Sequence, residues 1–197
     1  AAQASVSRSV ADPDFDASVN ITGTLALVRS AGAAGVRTFL YISTGGAAYG
    51  DTSVVPTPEE QPVLPSSPYG VSKTAAERYV ECYGPLLDMR TLVLRLANVY
   101  GPRQNPQGEA GVVAIFADRL LRGDGCLING DGEQTRDFVY VEDVADAVSR
   151  GLERSDATGV VNIGTGIETS VNQLGLQIGR ALDVTVELQH IDRRDID

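Results

Sequence analysis

The sequence is poor in the residues that build most hydrolytic and metal sites. It has one histidine (His190), one methionine (Met89), two cysteines (Cys82 and Cys126) and no tryptophan. A Ser-His-Asp or Cys-His nucleophile would have to rest on His190. A structural zinc site usually takes about four ligands, mostly His and Cys, so no metal site is expected. The cysteines form no C-x-x-C pair, which argues against a redox couple or a disulfide framework. Reduced thiols in a cytoplasmic protein are the expectation. Lysine is scarcer still: of the 16 basic residues, every one is arginine except Lys73.

Positive charge is also short overall. Acidic residues number 26 against those 16, for a net charge of -10. A nucleic-acid surface needs clustered Lys and Arg, so nucleic acid is excluded as the main partner. No run approaches the ~18 apolar residues of a membrane helix, and no signal peptide opens the chain. The hydrophobic content of 43% suits a globular α/β domain. The chain starts at Ala1 without Met and runs off through mixed charge from His190 to Asp197. It therefore reads as an internal piece of a longer protein, or one whose flanks are absent.

Strand and helix patterns alternate. Asp12-Pro13-Asp14 is a helix start, and Val19, Leu25, Leu27 and Val28 carry that helix to about Ala33. Phe39-Leu40-Tyr41-Ile42 is a short apolar run of the kind buried on both faces of a parallel sheet. Residues 43–68, rich in Pro, Ser and Thr, read as loop. Ser67-Pro68 caps a helix to about Tyr83, and Thr91–Leu96 is a second strand. Helices at 112–122, 142–153 and 170–182 and strands near 126–128, 137–141, 159–163 and 184–189 follow. This alternation predicts a parallel α/β sheet.

Ligands of open α/β sheets bind beyond the carboxyl ends of the strands. Ser43-Thr44-Gly45-Gly46 follows the first strand, and Ala97-Asn98-Val99-Tyr100-Gly101-Pro102-Arg103 follows the second. Between them, at the start of a helix, lie Tyr69 and Lys73. Four residues apart, their side chains share a helix face. A free phenol titrates near ~10 and is a poor base at neutral pH. A neighbouring cation favours the phenolate, and the Tyr can then exchange a proton with a hydroxyl or carbonyl. Y-x-x-x-K alone is weak, since an ordinary solvated helix carries such pairs too. Its being the one lysine strengthens it: a compact ammonium fits between a ribose hydroxyl and a phenol oxygen where a guanidinium would not.

The ordered set Ala1-Ala2-Gln3, Val19-Asn20-x-x-Gly23-Thr24, Ser43-Thr44-Gly45-Gly46-Ala47-Ala48-Tyr49-Gly50, Pro68-Tyr69-Gly70-x-Ser72-Lys73, Arg95-x-x-Asn98-Val99-Tyr100-Gly101-Pro102-Arg103, Gly130-Asp131-Gly132-x-Gln134-Thr135-Arg136-Asp137 and Asn162-Ile163-Gly164-Thr165-Gly166 runs essentially end to end. It resembles the nucleotide-sugar epimerase/dehydratase group of the extended short-chain dehydrogenases/reductases. The resemblance implies a Rossmann-like doubly wound sheet lacking its N-terminal part. Residues 1–103 would belong to the cofactor domain, with the strand near 137–141 returning to it. Residues 104–197 would form most of a smaller, partly present substrate domain.

The resemblance also implies NAD as cofactor, held by Ala1, Ala2, Gln3, Asn20, Ser43, Tyr69 and Lys73. Tyr69 would be the acid/base. Lys73 would bind the nicotinamide ribose and lower the Tyr69 pKa. Thr44 would hydrogen-bond the reacting oxygen, with Ser43 as its alternate. Asn98, Arg136, the Val113 amide and Arg193 (or Arg194) would hold the diphosphate of a nucleotide sugar, expected to be UDP-linked. The implied reaction is 4-epimerisation of a UDP-hexose or a uronate or N-acetyl relative. A 4-ketoreductase or dehydratase of the same family, and a non-catalytic binding module, remain alternatives. A homodimer through helices 14–34 and 68–83 is implied as well.

Three features depart from the family pattern. The phosphate-cradling glycine fingerprint is absent and is expected upstream. Gly164-Thr165-Gly166 follows a late strand and reads as a turn. Gly45-Gly46 occupies the place where sugar dehydratases carry an Asp-Glu pair, which speaks against water elimination. Asn129 replaces the aromatic residue that many relatives carry before Gly-Asp-Gly, near the nucleotide base.

Overall fold

The structure is a computed structural model and describes residues 2–107 and 111–192. Ala1, Arg193 and Arg194, named above for cofactor and phosphate, lie outside the described residues. In chain order the elements are α1 (Val6–Ala11), α2 (Pro13–Ala17), a π turn (Ser18–Thr22), α3 (Gly23–Ala33), β1 (Thr38–Thr44), α4 (Gly45–Ala48), α5 (Pro68–Leu86) and β2 (Arg90–Leu96). Then come β3 (Asn98–Tyr100), α6 (Val112–Leu121), β4 (Cys126–Asn129), β5 (Thr135–Arg136), β6 (Phe138–Tyr140) and α7 (Val141–Glu153). The last are β7 (Gly159–Ile163), β8 (Thr169–Ser170), α8 (Val171–Leu182) and β9 (Leu188–Ile191).

They divide into two compact units, one of residues 1–97 and 142–163, the other of residues 98–141 and 164–197. The expected boundary near 103 thus falls at Ala97–Asn98. The segment that returns to the first unit is helix and strand 142–163, whereas β6 pairs with β3 in the second unit.

The first unit is Rossmann-like. A three-stranded parallel sheet in the order β1-β2-β7 carries helices on both faces. On one face Tyr41 and Val93 pack with Ala76 and Val80 of α5. On the other, Gly151 brings α7 so close that a Cβ there would lie 2.7 Å from Leu92 Cδ2. Alternation along the pleat makes this division, because neighbouring residues of a strand face opposite sides. The α2–α3 helix begins as expected: Asp12 accepts the Phe15 amide at 3.1 Å and Pro13 sits at its first position. It then widens into the π turn, which holds Asn20 fully buried. The loop expected over 43–68 contains α4, a single short turn capped by Thr44.

The second unit is built on small paired strands. β3–β6 and β4–β9 are parallel, and β5–β8 antiparallel. Its core gathers Phe116 and Leu120 of α6, Cys126 and Ile128 of β4, and Leu174 of α8. The last strand forms at Leu188–Ile191, beyond the 184–189 expected, because its partner β4 fixes the register: Cys126 opposes Leu188. Among the described residues no helix is long and apolar enough to cross a membrane.

Candidate active site

α5 starts where its sequence says it should. Ser67 accepts the Gly70 amide at 3.1 Å, and Ser9 of α1 accepts the Tyr69 amide at 3.0 Å. Two orphan donors of the first turn are thereby satisfied. Gly70 lets the helix end approach α4 closely, since a Cβ there would lie 2.5 Å from the Ala47 carbonyl oxygen. This seating sets Tyr69 near Thr44, whose side chain acts on the phenol and lowers its pKa. Thr44 also caps α4, accepting the Ala47 amide at 3.3 Å.

Lys73 lies one turn further on and is only 4% exposed. Its Nζ donates to Ile42 O at 2.7 Å and stands 4.3 Å from the centroid of the Tyr41 ring. Burial pulls the ammonium down to about 8, against the pull of Glu77 and then Asp16. The phenol of Tyr69 moves the opposite way. Burial raises it above its ordinary value, with Thr44 lowering it and Asp16 raising it. The ammonium of Lys73 is held at Ile42 and Tyr41.

Ser43 and Thr44 are neighbours on β1 and have different partners. Ser43, 5% exposed, donates its hydroxyl proton to Glu77 Oε1. The contact shown for this hydroxyl, named above as Thr44's alternate or a cofactor contact, is thus with Glu77. Two further residues named for the cofactor, Asn20 and Gln3, also have partners within the protein. Asn20 is 1% exposed; its Oδ1 accepts the Gln3 amide, and its Nδ2 faces Gln3 O, Asp16 Oδ1 and Ser72 Oγ, each at 3.1 Å. Gln3 gives its Nε2 to Ser5 O and Asp16 Oδ1, both at 2.8 Å, and its Oε1 accepts the Ser5 amide. These side chains clamp the N-terminal segment onto α2 and α5. Ala2 remains exposed.

Behind Ser43 lies a network that the sequence reading did not single out. Arg95 reaches Glu77 twice, Nη2 to Oε2 at 2.7 Å and Nε to Oε1 at 3.1 Å. The two side chains are 2% and 1% exposed. Burial works against the Arg95 charge, but hydrogen bonds from Glu77 and then Tyr49 outweigh it and hold the guanidinium above its ordinary value. Arg95 Nη1 donates to Tyr49 Oη at 2.9 Å, and that hydroxyl donates to Asn162 Oδ1 at 2.8 Å. The signal in the sequence was a charge inside the apolar run Leu92–Leu96 and a Glu four residues after Lys73.

In the second unit Asn98, Val113 and Arg136 line one cavity of about 590 Å³, with Gln104, Asn129 and Phe138. Ligand pockets commonly span ~300–1,000 Å³. Arg136 is exposed and donates to Thr135 O at 2.8 Å. α6 has no side-chain cap at its N-terminus, where Val113 sits, which suits an anion. The Gly164-Thr165-Gly166 turn differs: Asp137 accepts the Thr165 amide at 2.8 Å and the Gly166 amide at 2.9 Å. A carboxylate of the chain itself occupies that turn.

Gly45 and Gly46 leave the place of a carboxylate pair bare for no steric reason. A Cβ on Gly46 would meet nothing within 4 Å, and one on Gly45 nothing nearer than 3.4 Å.

The model of the NAD dependent epimerase/dehydratase family matches residues 1–164. The UDP-glucose 4-epimerase of Mycolicibacterium smegmatis is 49% identical over 182 residues, covering 92% of this chain and 58% of that protein. A crystal structure of Thermotoga maritima UDP-glucose 4-epimerase with UDP-glucose superposes with a TM-score of 0.93 at 47% identity, over 99% of this chain and 63% of that one. Thermus thermophilus UDP-glucose 4-epimerase in complex with NAD gives 0.92 at 40% identity, over 100% and 65%. The chain thus spans less than two thirds of these relatives. With a family match across most of its length, the chain belongs to the NAD dependent epimerase/dehydratase family.

Proposed function

We propose that the protein carrying this chain is an NAD-dependent nucleotide-sugar 4-epimerase acting on a UDP-hexose or a uronate or N-acetyl relative. The observation that carries this reading is the buried Lys73, one helical turn from Tyr69, with its Nζ bound to Ile42 O on the strand that ends in Ser43 and Thr44. The similarity to two UDP-glucose 4-epimerases, solved with UDP-glucose and with NAD, supports it. The glycines at 45 and 46 favour epimerase over dehydratase, because water elimination needs carboxylates beside the sugar.

The residues present suit NAD. Among the described residues the Lys73 ammonium has one hydrogen-bond acceptor, Ile42 O, so a buried cation keeps two N–H donors for ribose hydroxyls. When bound, NAD would supply the acceptor for the C4 hydride and return that hydride to the opposite face of the sugar. Tyr69 Oη, as the phenolate, takes the proton of the C4 hydroxyl and gives it back, the Lys73 ammonium and, once bound, the nicotinamide cation favouring that form against the burial that raises the phenol, while Thr44 hydrogen-bonds the same sugar oxygen. Asn98, the Val113 amide and Arg136 take the diphosphate, the guanidinium as a bidentate fork. Leu27 of α3 and Val71 and Leu86 of α5 are more than half exposed, which supports a homodimer through these helices. Cys82 and Cys126 are free thiols, in keeping with a cytoplasmic protein.

Tyr69→Phe removes the phenolic hydroxyl and keeps the ring. Interconversion of UDP-glucose and UDP-galactose, followed by NMR, should slow about 10²–10⁴-fold, while calorimetry shows UDP binding unchanged. Turnover of the Phe variant at the parent rate would end this reading.

A further inference from the structure

We propose that the buried Glu77–Arg95 pair is a positioning device for Thr44, Tyr69 and Lys73, over and above any part it plays in holding the fold. The inference rests on the reading that those three residues carry the chemistry. Tyr69, Lys73 and Glu77 recur every fourth residue along one face of α5. Glu77 is therefore the anchor by which that face is fixed to the sheet.

What it is fixed to is one transverse row. Ser43 opposes Arg95 on β2, and Arg95 opposes Asn162 on β7. Glu77 takes the Ser43 hydroxyl and the Nε–Nη2 edge of the Arg95 guanidinium. Ser43 immediately precedes Thr44, so this contact sets the height of α5 against the residue that meets the Tyr69 phenol. The far end of the row holds the stretch leading into α5: Asn162 donates its Nδ2 to Thr57 O and its backbone amide to Glu59 Oε1, each at 2.8 Å. Helix, strand end and incoming loop are tied at one point, and a bidentate pair leaves little angular freedom there.

The same carboxylate acts on the ammonium. The titratable groups around Lys73 are Glu77 and Tyr69 on its own helix, Asp16 on α2 and Tyr41 on β1. Burial drives the ammonium towards its neutral form, and Glu77 is the foremost group opposing this. A pair that only held the fold could be exchanged for apolar side chains of similar size without loss, as buried ion pairs often can. A positioning pair could not.

The test uses the full-length protein. Because Lys73 is the one lysine of this sequence, and lysines elsewhere in the full chain can be assigned by Lys73→Met, ¹⁵N-lysine labelling isolates its Nζ resonance. The double variant Glu77→Met/Arg95→Met should fold, with its Nζ titration midpoint lowered by about one pH unit. Its kcat should be lowered about 10–100-fold at nearly constant KM. A folded double variant with the parent midpoint and kcat overturns the proposal. If it does not fold, Glu77→Gln is measured in its place on the same two readouts. Failure of both variants to fold also overturns the proposal, since the pair would then be holding the fold itself. A parent protein without epimerase activity would sink the functional reading, yet the Nζ midpoint would still decide this one.

Discussion

In the first unit Glu77 and Arg95 are buried and meet each other, Ser43 and Tyr49. In the second, Arg136 is exposed, and its one acceptor among the described residues is the carbonyl of the preceding Thr135. Asn98 is exposed beside it in the cavity wall. The Glu77–Arg95 network satisfies its polar groups from within, and Arg136 and Asn98 keep theirs exposed. Buried polar groups must be partnered at folding, so a site whose geometry has to exist before the substrate arrives is built from protein. A site that grips phosphate can leave its donors to water until phosphate comes. The two regions should therefore respond differently to substitution, the first in stability and rate, the second in affinity.

The largest expected effect is on the first. Glu77→Ala strips the partner from a buried guanidinium, and breaking such a pair typically costs about 3–5 kcal/mol. Urea unfolding of the parent and variant measures it. A loss below ~1 kcal/mol, within the range of exposed pairs, would show that the network is far less committed than its geometry suggests, and the contrast between the two units would weaken.

Arg136→Ala should do the reverse. Hydrogen bonds to charged groups contribute about 1.5–3 kcal/mol, so calorimetry should find UDP bound roughly 10–150-fold more weakly. The urea midpoint should stay in place, because surface substitutions usually change stability by less than ~0.5 kcal/mol. If Arg136→Ala unfolded the protein instead, the guanidinium would be structural, and the second region would resemble the first.

The sequence carried these two regions unequally. Pro68 after Ser67 announced α5, and the spacing of Tyr69 and Lys73 put both on one face. The apolar runs at Phe39 and Thr91 marked β1 and β2, since a strand buried on both faces reads as continuous hydrophobicity. The register between strands was out of reach, and with it the row Ser43–Arg95–Asn162, because it depends on pairing across residues far apart in the chain. Ser43 and Thr44 could not be told apart for the same reason: one residue of strand decides which faces Glu77 and which meets Tyr69. The π turn at Asn20 left no composition signal, and the burial it produces makes Asn20 a clamp on Gln3 and Asp16. In the second unit Asn98 and Arg136 were found by motif, and the structure places both in the wall of one cavity.

The smallest effect is the most direct comparison of the two regions, because both can be read over one pH range. Lys73 titrates near about 8 in the folded chain against an ordinary 10.5. Between those values the unfolded chain keeps a proton that the folded chain has released, so this group makes unfolding free energy rise with pH. The slope is at most about 1.4 kcal/mol per pH unit. Tyr41 and Tyr69, both raised by burial, act oppositely, but only above the ordinary tyrosine value of 10.0. The buried Cys126 thiol, raised from 9.0, acts oppositely from about that value, so the window from about 8 to 9 belongs to Lys73, and Lys73→Met should flatten the rise there. Turnover should fall through the same window, since the proposed chemistry uses the ammonium. The protein then grows more stable while it becomes less active. UDP affinity should stay level, because an arginine does not titrate there. Parallel stability curves for the parent and Lys73→Met would mean that the ammonium is not buried as described. An affinity that fell together with turnover would mean that Lys73, and not Arg136 with Asn98, governs the grip on phosphate.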